Sequence, residues 1–360
     1  MPEYGAGGIT AGGTVRPPAT AGGADATGGT DVASGTDAAG DDGSREVIDV
    51  HHHFCAPAWR DWAEAQGLVN PKALPPWARW DARSALDLMD RTGIATAVLK
   101  PMLPARYTSS TQLREAIAVT LEAAVEAVEA HPGRFFFHAP LFLDDLDASS
   151  WALRRGLDEL GAVGVNVTAN YGGVYLGDPV YDGIFAELDE RSAVVDTHPH
   201  NLPGGAPGAA TVPGLPNFLC DFLLDTTRAA ANMIRTRTLD RFPNLSVILP
   251  HGGGFLPHIA TRLEAFAHAF DPPVEPAAVR DHLHRFFYDT AGPMSPAGTL
   301  LATVSPDRIL FGSDWPACPS AMVADIAVPA LAADPALGVA QRRGINRENA
   351  LRLMPRLARV

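Results

Sequence analysis

The chain has 360 residues, of which 46% are hydrophobic and 19% charged, and its formal net charge at pH 7 is −13. This length and apolar content suit one large globular domain or two ordinary ones. The acidic balance and the lack of a run of basic residues argue against nucleic acid or an anionic membrane as the main partner, because phosphate binding needs clustered lysine and arginine.

Residues 1–44 differ in composition from the rest of the chain. They are almost all Gly, Ala, Thr, Asp, Ser and Pro without an apolar run, so we expect a disordered tail followed by one folded domain over residues 45–360. We find no secretory signal and no run of the roughly 18 apolar residues that span a bilayer. The three cysteines are far apart and lack CxxC spacing, which predicts free thiols in a reducing cytoplasm.

From Arg45 onward, short apolar runs alternate with longer segments of helical period, which is typical of βα units. Two of the longer segments are clear helix candidates: 82–93, which follows the capping residue Asp81, and 110–133, with apolar residues every three or four positions. Eight of the short runs are strand candidates, namely 47–54, 95–102, 134–141, 162–170, 192–200, 245–253, 286–292 and 308–316.

Eight buried strands joined by helices predict an α/β fold, and within that class a (β/α)8 TIM barrel with long βα loops. A doubly wound open sheet is the alternative. The two folds differ in where polar residues gather, because in a barrel the C-terminal ends of several strands converge on one mouth.

The first strand candidate ends in three consecutive histidines. On an extended chain His51 and His53 share one face and His52 takes the other. Asp49 is expected on the face of His51 and His53, one step deeper.

Further polar residues stand where three other strands end. Two histidines from the first strand, a third histidine and a carboxylate make a nitrogen and oxygen ligand set for Zn²⁺, with one position left for water or substrate. The sequence therefore predicts a metal site at the barrel mouth. The candidates beyond the first strand are His198 or His200, His251 and Asp314.

Four motifs, taken in chain order, resemble a known family. They are IDVHHH over Ile48–His53, the dipeptide His198-Pro199, PHGGG over Pro250–Gly254 and LFGSDWP over Leu310–Pro316. Over about 45 to 360, the chain resembles the amidohydrolase superfamily, in its subgroup of non-oxidative decarboxylases. That subgroup includes 6-methylsalicylate decarboxylase and aminocarboxymuconate-semialdehyde decarboxylase.

The resemblance implies one divalent metal ion held by His51, His53, His198 and Asp314, with His251 beside it as an acid/base or hydrogen-bonding group. Relatives that carry Glu in place of the first histidine favour Mn²⁺, so His51 favours Zn²⁺, with Mn²⁺ as the alternative. His200 stands where another residue is expected. Relatives also suggest a homodimer.

The resemblance further implies a metal-dependent, non-oxidative decarboxylase of a small hydroxyaryl carboxylic acid similar to 6-methylsalicylate, releasing CO₂. In this hypothesis Asp314 protonates the ring carbon that bears the carboxylate, and His251 tunes Asp314 or orients the carboxylate. A metal-dependent hydrolase of a lactone or amide remains the alternative, because the same superfamily and the same ligand set support it.

Aromatic residues near the ligands are candidates for binding an aryl substrate. Phe54 adjoins the first motif, and four tryptophans crowd the loop after the first strand; their alternative role is to pack that loop on the barrel. These tryptophans are Trp59, Trp62, Trp77 and Trp80.

Two polar residues complete the candidate substrate contacts. His138 ends the third strand and either lines the pocket or is a core histidine. Arg228 either meets the substrate carboxylate or pairs with a nearby acid such as Asp225.

Overall fold

The fold is described from a computed structural model, which describes residues 47–358 except 202, 204, 206–207 and 294–296. The predicted tail over residues 1–44 lies outside these residues. The strands of the main sheet are β1 (Val47–Phe54), β2 (Ile94–Pro101), β3 (Phe135–Pro140), β4 (Gly164–Thr168), β7 (Val194–His198), β8 (Ser246–Leu249), β9 (Phe287–Asp289) and β10 (Ile309–Leu310), with a separate antiparallel hairpin of β5 (Asn170–Tyr171) and β6 (Val174–Tyr175).

The eight strands of the main sheet pair in the order β1-β2-β3-β4-β7-β8-β9-β10, and each neighbouring pair is parallel. Each strand overlaps one of the eight candidates, although most are shorter than the apolar run that predicted them. Parallel order with helices between successive strands confirms the predicted (β/α)8 barrel over the open sheet.

The barrel closes between β1 and the segment that follows β10. Val50 donates its N–H to the carbonyl of Phe311 at 2.9 Å, and His53 donates to Trp315 at 2.7 Å. In the other direction, Asp314 donates its N–H to the carbonyl of His51 at 3.0 Å. These bonds fix the residues after β10 beside the histidines of β1.

The two predicted helices are confirmed. The one predicted over 110–133 ends three residues earlier, at Ala130, and the one predicted over 82–93 has the predicted cap. Asp81 accepts a hydrogen bond from the N–H of Ser84, and Gly93, at φ 74°, ends that helix. The helices are α1 (Pro57–Ala65), α2 (Ala82–Thr92), α3 (Ser110–Ala130), α4 (Leu146–Arg154), α5 (Asp182–Glu190), α6 (Asp221–Arg235), α7 (Thr238–Arg241), α8 (Leu256–Ala265), α9 (Pro276–Arg285), α10 (Gly298–Leu301), α11 (Ser320–Met322), α12 (Val328–Ala332), α13 (Val339–Arg343) and α14 (Asn349–Leu353).

Apolar side chains fill the space between the sheet and the surrounding helices. Leu88 of α2, Ile117 of α3 and Phe185 of α5 are each buried in this core. Within the part of the chain that the structure describes, no helix is both long enough and apolar enough to cross a membrane.

Candidate metal centre

Four side chains meet at the C-terminal end of the barrel. One donor atom from each of His51, His53, His198 and Asp314 lies within 4.8 Å of the others. The first two residues belong to β1, His198 is the last residue of β7, and Asp314 follows β10. Parallel strands present their C-terminal ends at one mouth, so residues up to 263 positions apart in sequence come together there.

A buried carboxylate orients His51. The Nδ1 of His51 lies 2.7 Å from Oδ2 of Asp289, and both side chains are fully buried. An Nδ1–H donated to this carboxylate leaves Nε2 as the free lone pair, and Nε2 has no hydrogen-bond partner among the described residues. Asp289 was not among the predicted site residues. It lies in the middle of the seventh strand candidate, 286–292, and only the shorter observed strand β9 makes it a strand-end carboxylate.

The structure distinguishes His198 from His200. The Nδ1 of His198 lies 2.7 Å from the carbonyl of Pro199, an arrangement that leaves Nε2 directed at the cluster. The backbone N–H of His200 donates to Asp225 at 2.8 Å, and its side chain is not part of the group of donors. The strand ends at His198 because the chain turns at Pro199.

Asp314 links the histidines of the cluster. Its Oδ1 lies 2.9 Å from Nε2 of His53, 3.4 Å from Nε2 of His51 and 3.8 Å from Nε2 of His251. His251 follows β8 and is only partly buried. It therefore stands next to the four donors and lines the cavity.

The two residues assigned to proton transfer have unusual backbones. Asp314 has φ 62° and His251 has φ 53°, in the left-handed region that side chains other than glycine rarely adopt. The turn after His251 needs glycine, because a Cβ on Gly254 would lie 2.2 Å from the carbonyl oxygen of Leu223 in α6. The surrounding fold therefore holds Asp314 and His251 at the barrel mouth in a backbone conformation that these residues disfavour.

Asp49 does not share the face of His51 and His53, which corrects the expectation from strict alternation. Its carboxylate accepts from Nδ1 of His52 at 3.0 Å and from Oγ and N of Ser313 at 2.6 and 2.9 Å. The pairing of β1 with β2 is shifted between Asp49 and His52, and such an irregularity reverses the alternation. Through its hydrogen bonds with Ser313, Asp49 links β1 to the segment that carries Asp314.

Burial and neighbouring charges set the protonation of the cluster. Burial lowers the pKa of His53 to about 4, and burial together with the imidazole of His53 holds the pKa of His198 well below its usual range. Burial and Lys100 oppose the protonation of His51, but Asp289 and other carboxylates raise its pKa. Although burial disfavours its charge, the nearby imidazole of His251 and the hydrogen bond with His53 hold the pKa of Asp314 well below its usual range.

These groups fit a divalent cation. Neutral imidazoles and an ionised carboxylate are the forms that bind Zn²⁺ or Mn²⁺, and the pKa directions favour these forms at His53, His198 and Asp314. The unpartnered Nε2 of His51, fully buried beside a carboxylate, is costly unless something ligates it. His51, His53, His198 and Asp314 are therefore the residues that can hold a metal ion.

A cavity of about 2340 Å³ opens above the cluster. This volume exceeds the roughly 300–1,000 Å³ of pockets that enclose small ligands, so only its innermost part matches a small molecule. Trp77, in the first βα loop, and Phe222, near the start of α6, both line the cavity. The ring of Trp77 lies 6.4 Å from that of His53, and the ring of Phe222 lies 6.2 Å from that of His198. Two aromatic side chains thus flank the metal ligands.

Two predicted substrate contacts lie in the core instead. Phe54 is 1% exposed and its ring packs edge-on against Trp80 at 4.7 Å. Trp80 also contacts Phe135 of β3. Phe54 follows His53 on a strand, so its side chain points away from the ligands and into the layer beneath the helices. Trp77, three residues before Trp80, takes the place at the cavity wall.

The two polar candidates also lie away from the cavity wall. His138 is fully buried, with Nδ1 3.2 Å from Oδ2 of Asp196 inside the barrel. Arg228 is exposed on α6. Burial raises the pKa of Asp225, and the charge of the nearby Arg228 opposes that rise. Arg228 is not among the residues that line the cavity.

The comparison with known proteins agrees with this geometry. A family model described as amidohydrolase matches residues 48–356. The chain belongs to the amidohydrolase family. It is 30% identical over 326 residues to a 6-methylsalicylic acid decarboxylase of Aspergillus aculeatus, covering 87% of this chain and 97% of that one. It is 31% identical over 247 residues to a gamma-resorcylate decarboxylase of Rhizobium sp., covering 64% and 75%.

The fold is also similar to that of a solved decarboxylase. A 2,6-dihydroxybenzoate decarboxylase, solved in complex with 2,6-dihydroxybenzoate, superposes with a TM-score of 0.71 at 25% identity. The match covers 87% of this chain and 99% of that one. The similarity therefore extends over the whole barrel and not only over the four motifs.

Proposed function

We propose that this protein is a carboxy-lyase, a metal-dependent non-oxidative decarboxylase of a small hydroxyaryl carboxylic acid. The observation that carries the proposal is the cluster of His51, His53, His198 and Asp314 at the floor of a cavity flanked by Trp77 and Phe222. The identity with the 6-methylsalicylic acid decarboxylase supports the same reaction class.

A divalent ion would be held by the three imidazoles and the carboxylate of this cluster. Zn²⁺ suits a set of three nitrogen donors and one oxygen donor, and Mn²⁺ is the alternative. The bound metal supplies Lewis acidity toward the phenolic and carboxylate oxygens of the substrate.

The side chains around the cluster then bind and protonate the substrate. Trp77 and Phe222 hold the aromatic ring and keep water away from it. Because Asp314 is ionised at rest, it takes a proton from His251 and delivers it to the ring carbon that bears the carboxylate. The bond to the carboxylate breaks, its electron pair restores the aromatic ring, and CO₂ leaves. The new C–H bond replaces the C–C bond, and His251 regains a proton from water.

The test is to incubate the metal-analysed protein with a panel that includes 6-methylsalicylate and 2,6-dihydroxybenzoate, and to follow phenol and CO₂. We expect metal-dependent loss of carboxylate from at least one acid. A metal-replete protein that leaves every acid intact would contradict the proposal. The hydrolase alternative has no specific observation in its favour, since the three quoted relatives are all decarboxylases. A lactone and an amide in the same panel test it.

We also propose that the enzyme works in the cytoplasm as a homodimer. All three cysteines are free, which suits a reducing compartment. Phe218 and Leu219 line the cavity and expose 60% and 53% of their surface, which suits contact with a second copy. Light scattering on the purified chain tests the dimer, and a mass of one chain would contradict it.

A further inference from the structure

Lys100 lies inside the barrel beneath the metal ligands. It belongs to β2 and is fully buried. Its Nζ lies 2.9 Å from Oδ1 of Asp196, donates to the carbonyl of Thr197 at 3.1 Å and lies 3.3 Å from Nδ1 of His51. Because Nδ1 of His51 gives its hydrogen to Asp289, the ammonium packs against this metal ligand without a hydrogen bond, and it donates a hydrogen bond to Thr197, the residue that precedes the ligand His198.

These contacts cross the barrel. In the sheet order, β2 and β7 are separated by β3 and β4, so they exchange no backbone hydrogen bonds. β2 and β7 are linked through the backbone only by way of β3 and β4, whereas side chains in the interior can connect them directly. Asp196 extends the connection to β3, because its other oxygen lies 3.2 Å from Nδ1 of His138.

Stability does not explain an ion pair at this position. Lysine is almost never fully buried unless it is paired, and a buried ion pair is often no more stabilising than apolar residues of the same volume. Barrel interiors are usually filled with branched apolar side chains. The ion pair contacts both strands that carry metal ligands, so it can link their positions, which an apolar side chain of the same volume would not do.

We propose that Lys100 and Asp196 are positioning residues, which together set the spacing between the metal ligands His51 and His198. This inference rests on the proposed metal centre. The pair acts through the ligands and not on the substrate: Lys100 holds the strand of His198 by Asp196 and the Thr197 carbonyl, and keeps it at a fixed distance from His51.

The test is the double variant Lys100→Met/Asp196→Asn, which removes the ion pair without changing the net charge. The measured quantity is the apparent Kd for Zn²⁺, by competition with a chelator, together with the unfolding temperature of the metal-free protein. We expect Zn²⁺ binding to weaken about 10–100-fold, as for other partners that orient metal ligands, with metal-free unfolding little changed. The matched control is Lys72→Met. Lys72 is the only other lysine in the sequence, and it is exposed.

The single variants separate positioning from charge. Lys100→Met and Asp196→Asn change the local charge by equal and opposite amounts, so a purely electrostatic role predicts opposite changes in Zn²⁺ affinity. A positioning role predicts that both weaken binding. Asp196→Asn nearly preserves side-chain shape, so it keeps the test open if the double variant does not fold.

Three results would overturn the inference. If the double variant binds Zn²⁺ with the Kd of the wild type, the positioning role is wrong but the metal centre is unaffected. Opposite changes in the two single variants would replace positioning with charge. A wild-type protein that binds no Zn²⁺ would overturn the metal centre and this inference with it.

Discussion

Asp289 and His51 are 238 positions apart in the chain, yet Oδ2 of one lies 2.7 Å from Nδ1 of the other with both side chains fully buried. The same carboxylate accepts the backbone N–H of His251 through Oδ1 at 2.8 Å. One side chain thus orients a metal ligand and anchors the loop of the residue assigned to proton transfer.

Replacing Asp289 with Asn should weaken metal binding about 10–100-fold, the usual effect of losing a partner that orients a metal ligand. An amide cannot offer two acceptor oxygens to Nδ1 of His51 and to the N–H of His251 while facing both correctly. The measurement is the Kd for Zn²⁺ by chelator competition. Asp325→Asn, at an exposed position, serves as control, and equal affinities for the two variants would refute the assignment.

His198 and His200 form a matched pair for testing the ligand set. His198→Ala should lose more metal affinity than the 10–100-fold expected for an orienting partner, and with it decarboxylation, because it removes a donor outright. His200→Ala should retain metal, since that side chain lies outside the group of donors. Metal content after dialysis decides between them, and the reverse pattern would move the ligand to His200.

Much of this could be predicted from sequence because the signals are local. Apolar runs marked the eight strands, the capping residue Asp81 marked α2, and apolar residues every three or four positions marked α3. Parallel order then required the strand ends to meet at one mouth. The shift between Asp49 and His52 depends on how β1 pairs with β2, so strict alternation misplaced Asp49. The choice between Trp77 and Trp80 depends on how the first loop packs, which no local pattern records.

Trp77 and Trp80 should differ in what their loss affects. Trp77→Ala removes a ring from the cavity wall and should raise KM about tenfold, which corresponds to ~1.4 kcal/mol. Trp80→Ala leaves a hole in the core beside Phe54 and should lower the free energy of unfolding by about 3–5 kcal/mol with a smaller effect on KM. Steady-state kinetics and urea unfolding measure the two effects; a KM change confined to Trp80→Ala would show that the wall is formed differently.

His282 should make stability depend on pH away from the metal centre. It is buried in α9, where Nδ1 lies 2.9 Å from the carbonyl of Ala278 and Nε2 has no partner among the described residues. Burial lowers the pKa of His282 in the folded protein, so the folded state disfavours the proton that the unfolded chain accepts near pH 6.5.

The contribution of His282 is fully present above pH 6.5 and is lost as the pH falls from there toward the lower folded-state pKa. The unfolding temperature of the wild type should therefore fall more steeply between pH 6.5 and 5 than that of His282→Gln, which keeps an amide donor for the Ala278 carbonyl but cannot titrate. Comparing the two proteins at equal metal content cancels the pH dependence of metal binding. Parallel curves would mean that His282 takes up its proton as easily in the folded protein as in the unfolded chain.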